Sequence, residues 1–354
     1  MRGVTHYFIA AALVSLIPSV MYMAVYEKSF IIVLGAIAGI LPDFLDFKII
    51  KFFWPIDDEI IPDWPIPDSE KIAKEIAAII DNVWENKKPY TIQIHTIKTG
   101  PNTWRRWYIH LDPDNKKVKV GIGPIQTFGG RPFEATIEEI PKEKRVAEAS
   151  FNAPLIYNYK DRTIKMKILS GPTVSFIPKE NGVEVVFLPW HRYISHSFVV
   201  SGIFSIFVML IMLALGNTFS RAYIYGLAFF VGYSSHILTD QPGHMGSNLL
   251  WPFTKNRIEG LKITESADPF ANLGTFWTAI AILLWQMNSV IEPQPIAFPW
   301  TYHILGAQIS LFYVLVFILI PWAIIIVLRQ ILWKPAGDPY LRDLFLEEIG
   351  ELVG

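Results

Sequence analysis

Seven side chains with the chemistry of metal ligands stand in four short stretches of this 354-residue chain. They are His6 in "THYFIAAAL", Asp43 and Asp46 in "LPDFLDF", His191 and His196 in "HRYISHS", and His236 and Asp240 in "SSHILTD". Asp43 and Asp46 are three apart and His236 and Asp240 four apart, so each pair shares one face of a helix. His191 and His196 are five apart, a poor fit to one face. His191 is therefore expected to precede a helix and fold back, with His196 in its first turn. The chain has no cysteine, which excludes disulfides, thiolate metal sites and cysteine nucleophiles. Imidazole with carboxylate suits Zn²⁺, Mn²⁺ or Fe²⁺, and zinc is the first choice. Seven ligands exceed one tetrahedral site, so one or two ions are expected. A pair of ions clamps a phosphoryl group and ionises water near neutral pH.

The elements that would position these groups are apolar. Hydrophobic residues make up 52% of the chain and there are 12 Trp, too many for an ordinary soluble protein of this length. The net charge of −1 offers no basic field for a nucleic acid. The opening run "MRGVTHYFIAAALVSLIPSVMYMAVY" is long for a signal peptide and lacks a small-x-small cleavage site, so it reads as a retained transmembrane helix. About six segments reach spanning length, near 5–26, 29–50, 194–216, 221–240, 271–291 and 303–333. The expected fold class is a polytopic α-helical membrane protein of about six transmembrane helices, with a soluble α+β domain inserted between the second and third. The expected divisions are residues 1–51, the insert 52–190, residues 191–336 and a C-terminal tail 337–354. Within the insert, "SEKIAKEIAAIIDNVWENKK" has helical apolar spacing with Ser69 as an N-cap. Period-two runs such as "YTIQIHTIK" and "KKVKVGIG" follow, separated by turn signals, and predict an antiparallel sheet.

Lys and Arg at the segment ends are biased to one side: Arg2, Lys48, Lys51, Arg192, Lys255, Arg257, Lys262, Arg329 and Lys334 against Lys28 and Arg221. The bias predicts cytoplasmic termini and a cytoplasmic insert. It also brings all seven ligand-type residues to one depth on that side. Taken singly, each has a plain structural reading. His6 fits a headgroup-level or capping residue, and Asp43 and Asp46 fit carboxylates solvated by headgroups. Asp240 at a helix C-terminus opposes the dipole, which disfavours a purely structural role. His95 and His110 read as strand residues, His244 as a loop residue, and His303 lies on the opposite side. Lys255 and Arg257 read either as a phosphate-holding pair or as positive-inside anchors beside Trp251 and Phe253. Glu265 and Asp268 are further candidates for a base or ligand. The clustering of the set favours a metal or proton site.

"THYFIAAAL", "LPDFLDF", "HRYISHS" and "GYSSHILTDQPGHMGSNLLWPF" stand in an order that resembles the membrane-bound metal-dependent hydrolases, also described as LexA-binding, inner-membrane-associated hydrolases. The resemblance covers about half of the chain and extends more distantly to zinc-dependent phospholipases C. It implies a prokaryotic inner membrane and a polar set of His6, Asp43, His191, Arg192, His196, Ser197, His236 and Asp240. The family's Leu-Pro-Asp-x-Asp-His is altered here: Asp46 comes one residue later and no His follows. The insert is also longer than the loop typical there.

The leading expectation is a membrane-embedded metal-dependent hydrolase acting on a phosphoester or lipid-linked substrate at the cytoplasmic leaflet. His6, Asp43, His191, His196, His236 and Asp240 would hold the metal. Asp46 or Asp240 would be the general base, and Arg192, with Lys255 or Arg257, would stabilise developing negative charge. The lipid bilayer is an expected partner and nucleic acid is not. An ion- or proton-coupled transporter using the same cluster is the alternative, disfavoured by the gathering of polar groups at one end and the lack of paired broken helices. A membrane anchor whose working part is the insert is a third reading.

Overall fold

The structure is a computed structural model that describes residues 3–127, 132–133, 135–158, 162–166, 171–243, 245–264, 268–304 and 307–332. Arg2, His244, Glu265, Lys334 and the expected tail 337–354 lie outside the described residues. The chain divides into two compact units, one built from Met1–Phe53 and Trp190–Lys334 and the other from Trp54–Pro189.

The expectation of a polytopic α-helical protein with about six spans is overturned. The fold is mixed α/β, with three sheets among the described residues. Among the described residues, two helices are long and apolar enough to cross a membrane, or three if one bent pair is a single span. The reasons are local. The first expected span breaks into α1 (Gly3–Ser15) and α2 (Pro18–Val25), bent by 99°. Pro18 has no N–H for the preceding turn and biases Ile17 to extended backbone. The second gives only α3 (Ile31–Ala38), then α4 (Leu41–Leu45) with Pro42 in its first turn. A π-helical turn, Asp46–Ile50, and Lys51–Phe53 continue α4.

In the second unit, α5 (Ser69–Asn86) buries Ile72, Ile76, Ile79, Ile80 and Val83. Its N-cap is Asp68, whose carboxylate accepts from Lys71 N–H, so Ser69 is the first helical residue instead of the cap. The helix shares a core with Trp107, Ile109, Val118 and Val174. The strands form two sheets and not the single antiparallel one expected: Asp58–Ile60 runs parallel to Tyr90–Ile94, and Gly182–Phe187 parallel to Leu155–Ile156. A long hairpin, Thr103–Asp112 with Lys117–Thr127, centres the other sheet. His95 meets Glu59 at 3.0 Å and His110 meets Thr163 at 2.9 Å, structural pairings for both.

The first unit resumes with α6 (Phe198–Ala214), at 17 residues shorter than the segment 194–216 because the chain turns until Ser197 caps it. The next helix, α7 (Phe219–Asp240), has 22 residues but buries Ser234, Ser235, His236 and Asp240. A hydropathy window averages that polar face with the apolar one. Segment 303–333 begins as a β-hairpin, Thr301–Ile304 with Ala307–Ser310, where His303 pairs with Gln308. The two candidate spans are α8 (Pro269–Val290) and α9 (Leu311–Leu332). Trp277 Nε1 donates to the Phe317 carbonyl in a π turn of α9, and Trp322 Nε1 to Thr278. Asp268, a candidate base by sequence, instead caps α8 and pairs with Arg329 at 2.8 Å. A carboxylate at a helix N-terminus complements the dipole.

Close backbone approach sets up the site. A Cβ on Gly232 of α7 would lie 2.1 Å from the Gly35 carbonyl oxygen of α3, and one on Gly39 would lie 2.3 Å from Ala10 Cβ of α1. Without side chains at these positions, the ends of α1, α3 and α7 converge.

Candidate metal centre

Four elements deliver the polar residues. His6 lies in the first turns of α1, and His236 and Asp240 close α7 one turn apart. Asp43 sits in α4 and Asp46 opens the π turn. Residues 190–197 form turns in which Arg192 has φ +61°. Ser197 caps α6 by accepting from Val199 N–H, so His196 precedes the helix and does not lie in its first turn. Serine wins the cap because its short hydroxyl reaches the orphan N–H groups.

The hydrogen bonds assign each ring nitrogen. His236 Nδ1 is 2.7 Å from the Gly39 carbonyl oxygen, an acceptor, so Nδ1 carries the proton. His6 Nδ1 is 3.0 Å from Thr239 Oγ1, whose own hydrogen goes to the Ser235 carbonyl, so His6 too donates from Nδ1. His196 Nδ1 is 2.8 Å from Ser195 Oγ, which donates to Asp46 Oδ1 at 2.5 Å. With each Nδ1 so engaged, Nε2 is the nitrogen that each ring turns to the centre, where it can take a proton or a metal ion. Two of these, His196 Nε2 and His236 Nε2, face each other at 3.1 Å, fully buried. Two ring nitrogens at that distance need a proton or a metal ion between them.

Two carboxylates complete the group. Asp240 Oδ2 is 3.4 Å from each of the two Nε2 atoms. Asp43 Oδ1 is 3.4 Å from His236 Nε2 and 3.8 Å from His196 Nε2, buried and without a hydrogen-bond partner. A tetrahedral ion with bonds of ~2.0–2.1 Å requires ligand atoms ~3.3–3.4 Å apart. The residues present thus fit a divalent ion, and Asp43, His196, His236 and Asp240 are a group that could hold one. His6 borders the group, stacked on His236 at 3.8 Å with its own Nε2 unpartnered 3.3 Å from Asp240 Oδ1.

The electrostatics express the same demand for positive charge. Full burial would lower His236, but the facing Asp240 and Asp43 carboxylates raise it to about 9. Burial pushes the Asp43 carboxyl up, yet the His236 contact and the nearby His196 and His191 hold it well below the usual carboxylate range. Asp46 behaves alike, burial being outweighed by His191 and His196. His191 is lowered by burial, against the pull of Asp46.

The other expected residues are placed differently. His191 Nδ1 binds Asp46 Oδ2 at 2.8 Å, and these two with His196 form a second group that could hold an ion. Arg192 is buried on Asp240: Nη2 lies 2.9 Å from Oδ2 and Nη1 donates to its main-chain oxygen at 3.2 Å. Lys255 is exposed and Arg257 half-buried in the loop after Trp251. Ser197, besides capping α6, donates to the Trp251 carbonyl. Ser195, Thr239 and Tyr233, whose hydroxyl donates to the Ser195 carbonyl at 2.7 Å, were not singled out by sequence. Hydroxyls are too common to stand out. Only Ser195's position between two histidines could have drawn notice.

Apolar helices joined to a buried centre of histidines and aspartates define a membrane-associated protein that could bind a metal ion. More narrowly, residues 166–332 match the family described as YdjM inner membrane protein, which supports association with the inner membrane. The matched stretch includes His191, His196, His236 and Asp240 but not His6, Asp43 or Asp46. No curated protein and no solved structure matches the chain.

Proposed function

We propose that the chain is an inner-membrane metal-dependent hydrolase acting on a phosphoester or lipid-linked substrate. The observation that carries the reading is the facing pair of nitrogens, His196 Nε2 and His236 Nε2, with Asp43 and Asp240 oxygens at comparable separations. His196, His236, Asp43 and Asp240 would hold the ion, with zinc favoured by the ligand set. A divalent ion there supplies Lewis-acid stabilisation of phosphoryl oxygen and water ionised near neutral pH. Arg192 fixes Asp240 from behind through two contacts and offsets its buried charge. The Asp43 side chain is 29% exposed while those of His196, His236 and Asp240 are nearly inaccessible, so substrate approaches from the Asp43 side. On that same element Phe44, Phe47, Phe52 and Phe53 are exposed beside Lys48 and Lys51. Aromatic and cationic side chains together suit an anionic headgroup with acyl chains.

The test is metal analysis of the detergent-purified chain with His196→Ala and His236→Ala alongside, followed by a panel of phospholipids and soluble phosphoesters. Stoichiometric zinc in wild type, lost in both variants, with metal-dependent turnover is the expected result. A wild-type chain that binds no divalent ion refutes it. The contacts running from His6 through Asp240, His196 and Asp46 to His191 also suit a proton relay for transport. Ion flux in proteoliposomes without hydrolysis would favour that reading.

A further inference from the structure

We propose that Asp46 is a positioning carboxylate, neither a metal ligand nor the proton acceptor, that sets the ring orientation of His191 and His196 so that His196 turns Nε2 to the ion. This inference rests on the metal reading above. Asp46 is fully buried, and both its oxygens already meet donors. Oδ2 accepts from the Arg192 main-chain N–H and from His191 Nδ1, each at 2.8 Å, and Oδ1 accepts from Ser195. A main-chain N–H can only donate. An ion held by Asp46, His191 and His196 would therefore lie against the Arg192 amide hydrogen on the same oxygen.

Asp43 shows the opposite pattern, since its buried Oδ1 has no donor. The two aspartates, three residues apart, thus divide the work: one faces the Nε2 atoms of His196 and His236 across the candidate metal position, the other is held by N–H and O–H donors. Ser195 transmits the effect, giving its hydrogen to Asp46 and accepting from His196 Nδ1. A carboxylate behind a ligating histidine fixes the tautomer and raises the basicity of the ligating nitrogen. The π turn begins at Asp46 itself, the kind of local rewinding found at functional sites.

The experiment compares wild type with Asp46→Asn, Ser195→Ala and Asp43→Asn, each as full chain in detergent and titrated with zinc. Stoichiometry, affinity and thermal midpoint are read, and ¹⁵N-histidine NMR reports which ring nitrogen carries the proton. Asp46→Asn is expected to keep the wild-type stoichiometry with affinity about 10–100-fold weaker, and to lose the Nδ1–H state of His191 and His196. Ser195→Ala should shift both readouts in the same direction by less, which covers the case that Asp46→Asn does not fold. Two ions in wild type and one in Asp46→Asn would make Asp46 a ligand and overturn the proposal. So would a lowered thermal midpoint with unchanged affinity and unchanged ring protonation. If wild type binds no ion, the metal reading falls, and the NMR comparison alone still decides whether Asp46 sets the rings.

Discussion

Replacing Gly232 by alanine should damage the proposed metal centre without touching any of its candidate ligands. The added Cβ would lie 2.1 Å from the Gly35 carbonyl oxygen, whereas Cβ contacts under 3.0 Å are essentially never seen. The neighbour is backbone, so it cannot rotate away; α3 and α7 must separate by about 0.9 Å or more, the gap between those two distances. His236 lies one helical turn beyond Gly232, and Gly39, whose carbonyl orients His236, lies one turn beyond Gly35. The separation is passed to the 2.7 Å bond that orients His236 and to the 3.4 Å approach of Asp43. Metal sites tolerate ligand displacements of only ~0.2 Å. We therefore expect zinc affinity to fall at least about tenfold, with ~1–3 kcal/mol lost from overpacking. Calorimetric zinc titration and thermal unfolding, each on detergent-purified chain, measure the two effects. Gly202→Ala is the control: it lies in α6, nothing stands within 4 Å of the added Cβ, and the change should be neutral or slightly stabilising. Gly232→Ala binding zinc with wild-type affinity would refute the argument that this helix crossing sets the ligand spacing.

Other outcomes follow from the same geometry. Because His236 is raised to about 9, the ion-free site holds a proton at neutral pH that zinc must displace. Apparent zinc affinity should then rise about tenfold per pH unit up to about pH 9, with proton release seen as a buffer-dependent binding enthalpy. In linkage, a raised pKa stabilises the ion-free fold below the unfolded value of ~6.5 and loses that contribution as pH rises through about 9, so its thermal midpoint should fall across that window. His6→Ala should weaken zinc binding less than His196→Ala or His236→Ala in the same titration, since His6 borders the four-atom group without belonging to it. Asp268→Ala removes both a helix cap and the partner of Arg329, and should cost ~1–3 kcal/mol in thermal unfolding while leaving zinc affinity unchanged.

The candidate ligand set was legible in the chain itself. A protein without cysteine that concentrates His and Asp in four stretches can hold a metal only through nitrogen and oxygen, and the three- and four-residue spacings of Asp43/Asp46 and His236/Asp240 place each pair on one face wherever the chain is helical. The alternating runs between residues 90 and 187 likewise announce strands, since a half-buried sheet needs that period. The number of spans was not legible. Hydropathy sums over a window, so it could not register the break at Pro18 or the short α3.

Nor could spacing say which aspartate faces the Nε2 atoms of His196 and His236 and which is held by fixed donors. Asp43 and Asp46 share a face and a chemistry. Their difference arises from partners about 145 to 195 residues away in the chain, brought in by the crossing at Gly35 and Gly232 and by the turns at 190–197. Residue types set what chemistry the centre can do; only the packing of distant helices decided which atoms face one another, because that depends on distances no local pattern encodes.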